Sequence, residues 1–285
     1  MPGLGGDVNY LREILGAREL LANLTMKEVR GKYKRTVLGQ LWSLANPLAL
    51  MLIYTFVFSF VFKIQPDRGD PSGLNVFALW MLCGLLPWMF LTNVISQGAG
   101  SLVENANLIQ KVSFSRTVLP LAAVGSLGYN WLFEMGVLIV ALTVAGAFVI
   151  PWIPLLLLVM ILLALFGAGL ALMFSIANVH FRDTQYFISI ALQMWMYMTP
   201  IIYPASLVET ESAKLGGIAG TDITVANIYH LNPMEHFVNL FRALLYDNRV
   251  PDLSDWIWAV AMAVASITLG LWVFRRNERG LAEAL

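Results

Sequence analysis

Residues 153–177 read IPLLLLVMILLALFGAGLALMFSIA, a run without one charged side chain. About 20 apolar residues in a helix cross the roughly 30 Å hydrocarbon core of a bilayer. This run is long enough, and no soluble domain needs a helix that is apolar on every side. The stretch is therefore read as a membrane span, and its neighbours are judged by the same rule. Moving outward, Pro151 and Pro154 punctuate a short turn, before which residues 119–150 form a span long enough to tilt or project. Residues 46–62 and 76–96 precede it, and residues 186–203 and 256–274 follow it. Six transmembrane helices in one domain, residues 1–285, are expected, with an all-α membrane fold.

Composition agrees. The chain has 285 residues, 58% of them hydrophobic, and only 13% charged, against roughly 25% in ordinary soluble domains. Formal charge is zero, so nothing points to nucleic acid. The lone cysteine, Cys83, excludes a disulfide within the chain. No cleavable leader is expected, because residues 1–20 lack an apolar core. If the N-terminus is cytoplasmic, most of the 18 basic residues fall on inner segments, as the positive-inside rule requires. An inner-membrane protein with both termini cytoplasmic follows. Residues 204–255 then form a long outer loop, in which Pro233–Tyr246 reads as a short amphipathic helix. Such a loop either folds over the outer mouth of a pathway or rests on lipid.

Ahead of the first span, residues 20–42 are rich in bases. Arg30, Lys32, Lys34 and Arg35 surround an apolar stripe of Leu24, Val29, Tyr33, Val37 and Leu41, ending at Trp42. That pattern suits a helix lying along the cytoplasmic leaflet. Its bases either meet the phosphates of a lipid carrier or simply set topology. Between the second and third spans, Glu104, Asn107 and Lys111 mark a short polar segment, a docking element or a solvated connector. Arg182 and Asp183 form a tight inner turn. Glu134, with Asn130 one helical turn before it, is the one acid deep in a span. It is either a proton relay or a structural carboxyl, and the missing chain of further ionisable groups favours the second. Gly167, Ala171, Ser175, Ala259, Ala263 and Ser266 permit close helix contact. Tyr54, Phe58 and Phe62 in the first span, and Trp195, Tyr197 and Tyr203 in the fifth, either decorate a lipid face or offer stacking surfaces to sugar rings. Met198, Thr199, Pro200 and Pro204 should break the fifth helix near its outer end.

Absences narrow the function. There is no G-x-x-x-x-G-K-[ST] phosphate loop, no metal-ligand spacing around His180, His230 or His236, and no nucleophile elbow. No enzymatic role and no cofactor or metal on this chain are expected.

Glu28 to Trp42, EVRGKYKRTVLGQLW, followed by Asn46-Pro47-Leu48, resembles the opening of ABC-2-type polysaccharide export permeases. These are the membrane subunits of O-antigen, capsule, teichoic acid and galactan exporters. Further matches in order are residues 107–114 (NLIQKVSF), Phe181-Arg182-Asp183, Thr199-Pro200-Ile201-Ile202-Tyr203 and Leu231-Asn232-Pro233. Ser115 departs from the family, which often has proline there. The resemblance implies a homodimer joined by two copies of a separate ATPase that holds the ATP and Mg. It implies that Glu104, Asn107, Lys111, Arg182 and Asp183 couple to that ATPase. It implies spans one and five lining a channel for a lipid-linked polysaccharide, with Met198, Thr199, Pro200, Asn232 and Pro233 in an outer gate. An exporter of a small drug-like molecule and an intramembrane enzyme acting on lipid-linked sugars remain the alternatives.

Overall fold

The computed structural model describes residues 16–32, 34–63, 68–112, 114–215 and 224–281. Among these residues all regular structure is helical. A short helix α1, Arg18–Lys32, leads to α2, Trp42–Tyr54, which continues as a π-helical stretch through Val61. Then come α3, Phe77–Glu104; α4, Ala106–Lys111; α5, Val118–Val144; α6, Ile153–His180; and α7, Thr184–Tyr197. After α7 the chain forms α8, Ala205–Leu215; α9, Val225–Tyr229; α10, Pro233–Arg242, with a π-helical extension to Asp247; and α11, Leu253–Asn277.

Among the described residues, five helical segments are long and apolar enough to cross a bilayer: Gly39–Val61, α3, α5, Ile150–His180 and α11. The expected fifth crossing differs. Helix α7 has 14 residues, roughly 21 Å at 1.5 Å per residue. It stops at Tyr197, where Pro200 lacks a backbone donor and Thr199 turns its hydroxyl back to the Trp195 carbonyl, at 2.8 Å.

Helices α3 and α6 form the centre, and α5, α10 and α11 surround them. Apolar side chains have little reason to leave lipid for one another, so close backbone approach decides which helices meet. A Cβ placed on Gly169 of α6 would lie 2.2 Å from Ser266 of α11, and one on Gly98 of α3 would lie 2.4 Å from the Ala171 Cβ. The Ser266 hydroxyl donates to the Phe166 carbonyl at 2.7 Å across the first of these contacts. Helix α2 is the exception: 6% of its most apolar stretch is buried, against 72% in α3.

The long loop after α7 folds inward. Helix α10 packs against α3, α6 and α11, with Met234, Phe237, Val238, Leu240, Phe241, Leu244, Leu245 and Tyr246 all sealed from solvent. Resting on lipid is therefore excluded for it. It is stapled in place: the Tyr246 hydroxyl accepts from the Val76 N–H at 3.1 Å, and Asn248 Oδ1 accepts from the Phe148 N–H at 2.8 Å.

At the opposite end, the interface helix is shorter than expected. It ends at Lys32 rather than Trp42, because Arg35 and Gly39 take positive φ angles of 65° and 52° that no helix accommodates. Lys34 and Arg35 fall in the turn, and Trp42 opens the first span. The apolar stripe is correspondingly cut: Leu24 packs on the core, whereas Val37 is 99% exposed. Tyr33 lies outside the described residues.

Candidate functional site

Two thinly packed helices, α2 and α7, flank α3. On α2, Tyr54 and Phe58 turn toward the core and meet edge-on at 6.2 Å. Phe62 stacks obliquely on Phe58 at 5.8 Å. A second face of α2 carries Phe56 and Phe60, stacked at 5.6 Å and largely exposed. On α7, Tyr186, Phe187, Ile190, Met194, Tyr197 and Met198 are exposed, while Ile188 and Leu192 hold the helix to the bundle.

Trp195 and Tyr203 belong to a different setting. The Trp195 ring meets Trp88 edge-on at 5.6 Å and Phe166 at 6.4 Å, and its N–H donates to Asn232 Oδ1 at 2.7 Å. Asn232 Nδ2 donates to the Met198 carbonyl at 3.0 Å and to Thr199 Oγ1 at 2.9 Å, and Oδ1 also caps α10 through the Met234 N–H at 3.0 Å. Pro233 takes the first helical position, where its missing donor costs nothing. Tyr203 donates to the Tyr197 carbonyl at 2.7 Å. Met198, Thr199, Pro200, Asn232 and Pro233 are thus gathered at one junction between α7 and α10.

The same junction holds residues that the sequence pattern did not single out. Arg242 stacks over Trp80, 3.6 Å from the ring centre, and donates to the Ile201 carbonyl at 2.9 Å. His236 Nδ1 bonds Asp255 at 2.7 Å, and its Nε2 lies 2.9 Å from the His230 carbonyl. Glu235 pairs with the His230 ring at 2.8 Å. Burial opposes a charge on His236, yet these bonds outweigh it and raise its pKa. Burial raises Glu235 above the usual carboxylate range. One signal was available: Glu235, His236 and Arg242 lie in a helix whose other residues, Asn239 aside, are apolar.

At the α4 end, Glu104, Asn107, Lys111, Arg182 and Asp183 are all exposed. Helix α4 is anchored by Ile109, buried with Leu102, Leu119, Leu172, Ile176, Val179, Phe274 and Leu281. Glu104 and Gln185 both crowd the face of α3 at Gly100, which brings the α3 terminus beside the start of α7. An open cleft of about 610 Å³ runs past Lys111, Phe114, Arg116 and Glu278, where the Arg116 guanidinium donates to the Glu278 carbonyl. Helix α1 docks nearby on α5: Thr25 faces Gly125, and the Ser126 hydroxyl donates to Glu28 at 2.8 Å. Burial pushes the Glu28 carboxyl up, the Ser126 bond opposes this, and the charge of Glu104 adds to it. Arg30, Lys34 and Arg35 are exposed beyond this contact.

Residues 19–215 match the ABC-2 type transporter family. The chain belongs to that family. Over 279 residues it is 28% identical to the O-antigen export system permease protein RfbA of Myxococcus xanthus, covering 98% of this chain and 100% of that one. It is 32% identical over 191 residues to the RfbA permease of Klebsiella pneumoniae, covering 67% of this chain and 71% of that one. It is 22% identical over 263 residues to the polysialic acid transport protein KpsM of Escherichia coli, covering 90% and 93%. As an ABC-2 transporter with several membrane-length helices, the protein is a multi-pass membrane permease.

Proposed function

We propose that this ABC-2 permease is the membrane subunit of an ATP-driven exporter that carries a lipid-linked cell-surface polysaccharide outward. One observation carries the reading: over 98% of its length the chain aligns with an O-antigen export permease. The exposed aromatic faces of α2 and α7 suit sugar rings. The chain acts in the plasma membrane with both termini cytoplasmic, as the distribution of its bases suggests. Two copies join, their α2 and α7 faces bounding the conduit. Two copies of a separate ATPase, holding ATP and Mg, bind the α4 surface through Glu104, Asn107, Lys111, Arg182 and Asp183. ATP binding moves that surface, and the α7–α10 junction opens at the far end. Galactan, teichoic acid and O-antigen polymers all suit such a conduit.

The test is co-purification from the native host in mild detergent, followed by ATPase and export assays. A stoichiometric ATPase whose activity changes with Glu104→Ala or Lys111→Ala supports the assignment. A chain that purifies alone in several detergents, and whose removal leaves surface polysaccharide unchanged, overturns it.

A further inference from the structure

Polar side chains are expensive inside membrane helices unless they face one another, water or a ligand. Three such pairs converge in a groove that α1, α2, α3 and α5 enclose. Ser43 and Asn46 lie near the start of α2, Asn93 and Gln97 one turn apart on α3, and Asn130 and Glu134 one turn apart on α5. Two adjoining cavities of about 470 and 450 Å³ occupy the groove, and Lys32, the last residue of α1, lines both. The groups do not satisfy one another: among the described residues, Ser43 Oγ and Asn130 Oδ1 are buried without a hydrogen-bond partner. Asn46 and Asn93 are exposed and line the same cavity as Lys32, Ser43 and Glu134. Arg30, Lys34 and Arg35 do not line either cavity.

We propose that this groove binds a lipid-borne phosphate ester carrying hydroxyl groups, with Lys32 at the phosphate and Glu134, Asn93 and Asn46 at the hydroxyls. A carboxylate beside amides recognises a diol, because it accepts two hydroxyl protons while the amides both donate and accept. Trp42 on the wall offers an apolar face to the ring or chain that bears them. The aromatic half of α2, Tyr54 to Phe62, is assigned to the conduit; the tail of the ligand stays in lipid beside the other end of α2, where Trp42, Ser43 and Asn46 line the groove. The volume fits a sugar-sized head, within the range of small-molecule sites. The inference rests on the exporter reading and gives it a subsite for the lipid-proximal end of the cargo. The same chemistry is offered by a bulk phosphoglycerol lipid.

The experiment is direct binding by native mass spectrometry to the full permease, with any ATPase that co-purifies, in nanodiscs. The probes are a polyprenyl diphosphate disaccharide, the sugar-free polyprenyl diphosphate and phosphatidylglycerol. Glu134→Leu and Asn93→Leu should weaken the glycosylated probe about tenfold or more and spare the sugar-free one, while Lys32→Gln weakens both. Apolar replacements at membrane depth do not threaten folding, and Glu134→Asp should retain most of the binding. Competition by phosphatidylglycerol with the same residue dependence supports the subsite and assigns it to bulk lipid; no competition assigns it to the carrier. Wild-type affinity for the glycosylated probe in both leucine variants overturns the proposal. If export persists in those variants with unaltered binding, the subsite falls and the exporter reading stands.

Discussion

The indole N–H of Trp195 reaches Asn232 Oδ1 at 2.7 Å, joining the end of α7 to the cap of α10 across 37 positions of sequence. The same amide grips the carbonyl of Met198 and the hydroxyl of Thr199. One side chain therefore ends one helix and begins another. Asn232→Ala removes the α10 cap, worth about 1 kcal/mol, and strands the Trp195 N–H, which adds about 1–3 kcal/mol if it stays buried. Thermal unfolding in detergent should show the loss. Asn232→Asp keeps both acceptor bonds but not the donors, so it should fall between Asn232→Ala and the parent.

The broad fold was legible because membrane spans announce themselves by length and polarity. What escaped was set by contacts between segments distant in sequence. The break expected around Met198 to Pro204 comes directly after Tyr197, but nothing in the apolar run through Tyr203 showed that the chain then folds back. The amphipathic pattern of α10 was plain, but whether its apolar face met lipid or protein depends on α3, α6 and α11 together. Ser266 was rightly read as a contact point, yet the residue that it and its neighbour Gly270 both meet on α6 is Gly169, outside the Gly167–Ala171–Ser175 spacing singled out. The bases of Arg30–Arg35 stood out in sequence; the polar groove did not, because Asn46, Asn93 and Glu134 lie on three helices. Asn93 inside an apolar span was a signal that pairing it with Glu134 would have used.

Arg242 is held by geometry that only a planar guanidinium supplies, flat on Trp80 while donating to the Ile201 carbonyl. Arg242→Lys keeps the charge and loses the stacking and the forked donors. A desolvated cation–π contact is worth about 2 kcal/mol, so the lysine variant should unfold at lower temperature than the parent. A lysine variant as stable as the parent would mean that charge alone suffices.

Seating of α10 should depend on pH, and two of its buried ionisable groups, Glu235 and His236, act in the same direction. The raised pKa of His236 stabilises the fold fully below its ordinary 6.5, and this contribution is lost as pH climbs through the folded value. The raised pKa of Glu235 means that its ionisation opposes the fold, so stability again falls as pH rises. Amide exchange of residues 233–247 should therefore quicken from pH 6.5 upward. His236→Gln should flatten the upper part of that profile; a profile that stays steep would remove His236 from the account.

Glu28 decides how firmly α1 holds α5, and its environment works against its charge. Burial and the neighbouring Glu104 raise its pKa while Ser126 donates to it. The sign follows: docking of α1 is strongest where Glu28 is protonated and weakens as pH rises from 4.5 through the folded value. Glu28→Gln keeps an oxygen for the Ser126 hydroxyl and removes the charge. Exchange across residues 18–32 should slow in this variant, and its dependence on pH should fade. Glu28→Ala separates the two contributions, since it relieves the charge but removes the link between α1 and α5, leaving the Ser126 hydroxyl only the Ala123 carbonyl of its own helix, at 3.0 Å. If both variants slow exchange equally, the hydrogen bond contributes nothing and desolvation alone sets the strength of the α1 contact. If only the glutamine variant does so, Ser126 is the anchor that fixes the position of α1 on the permease.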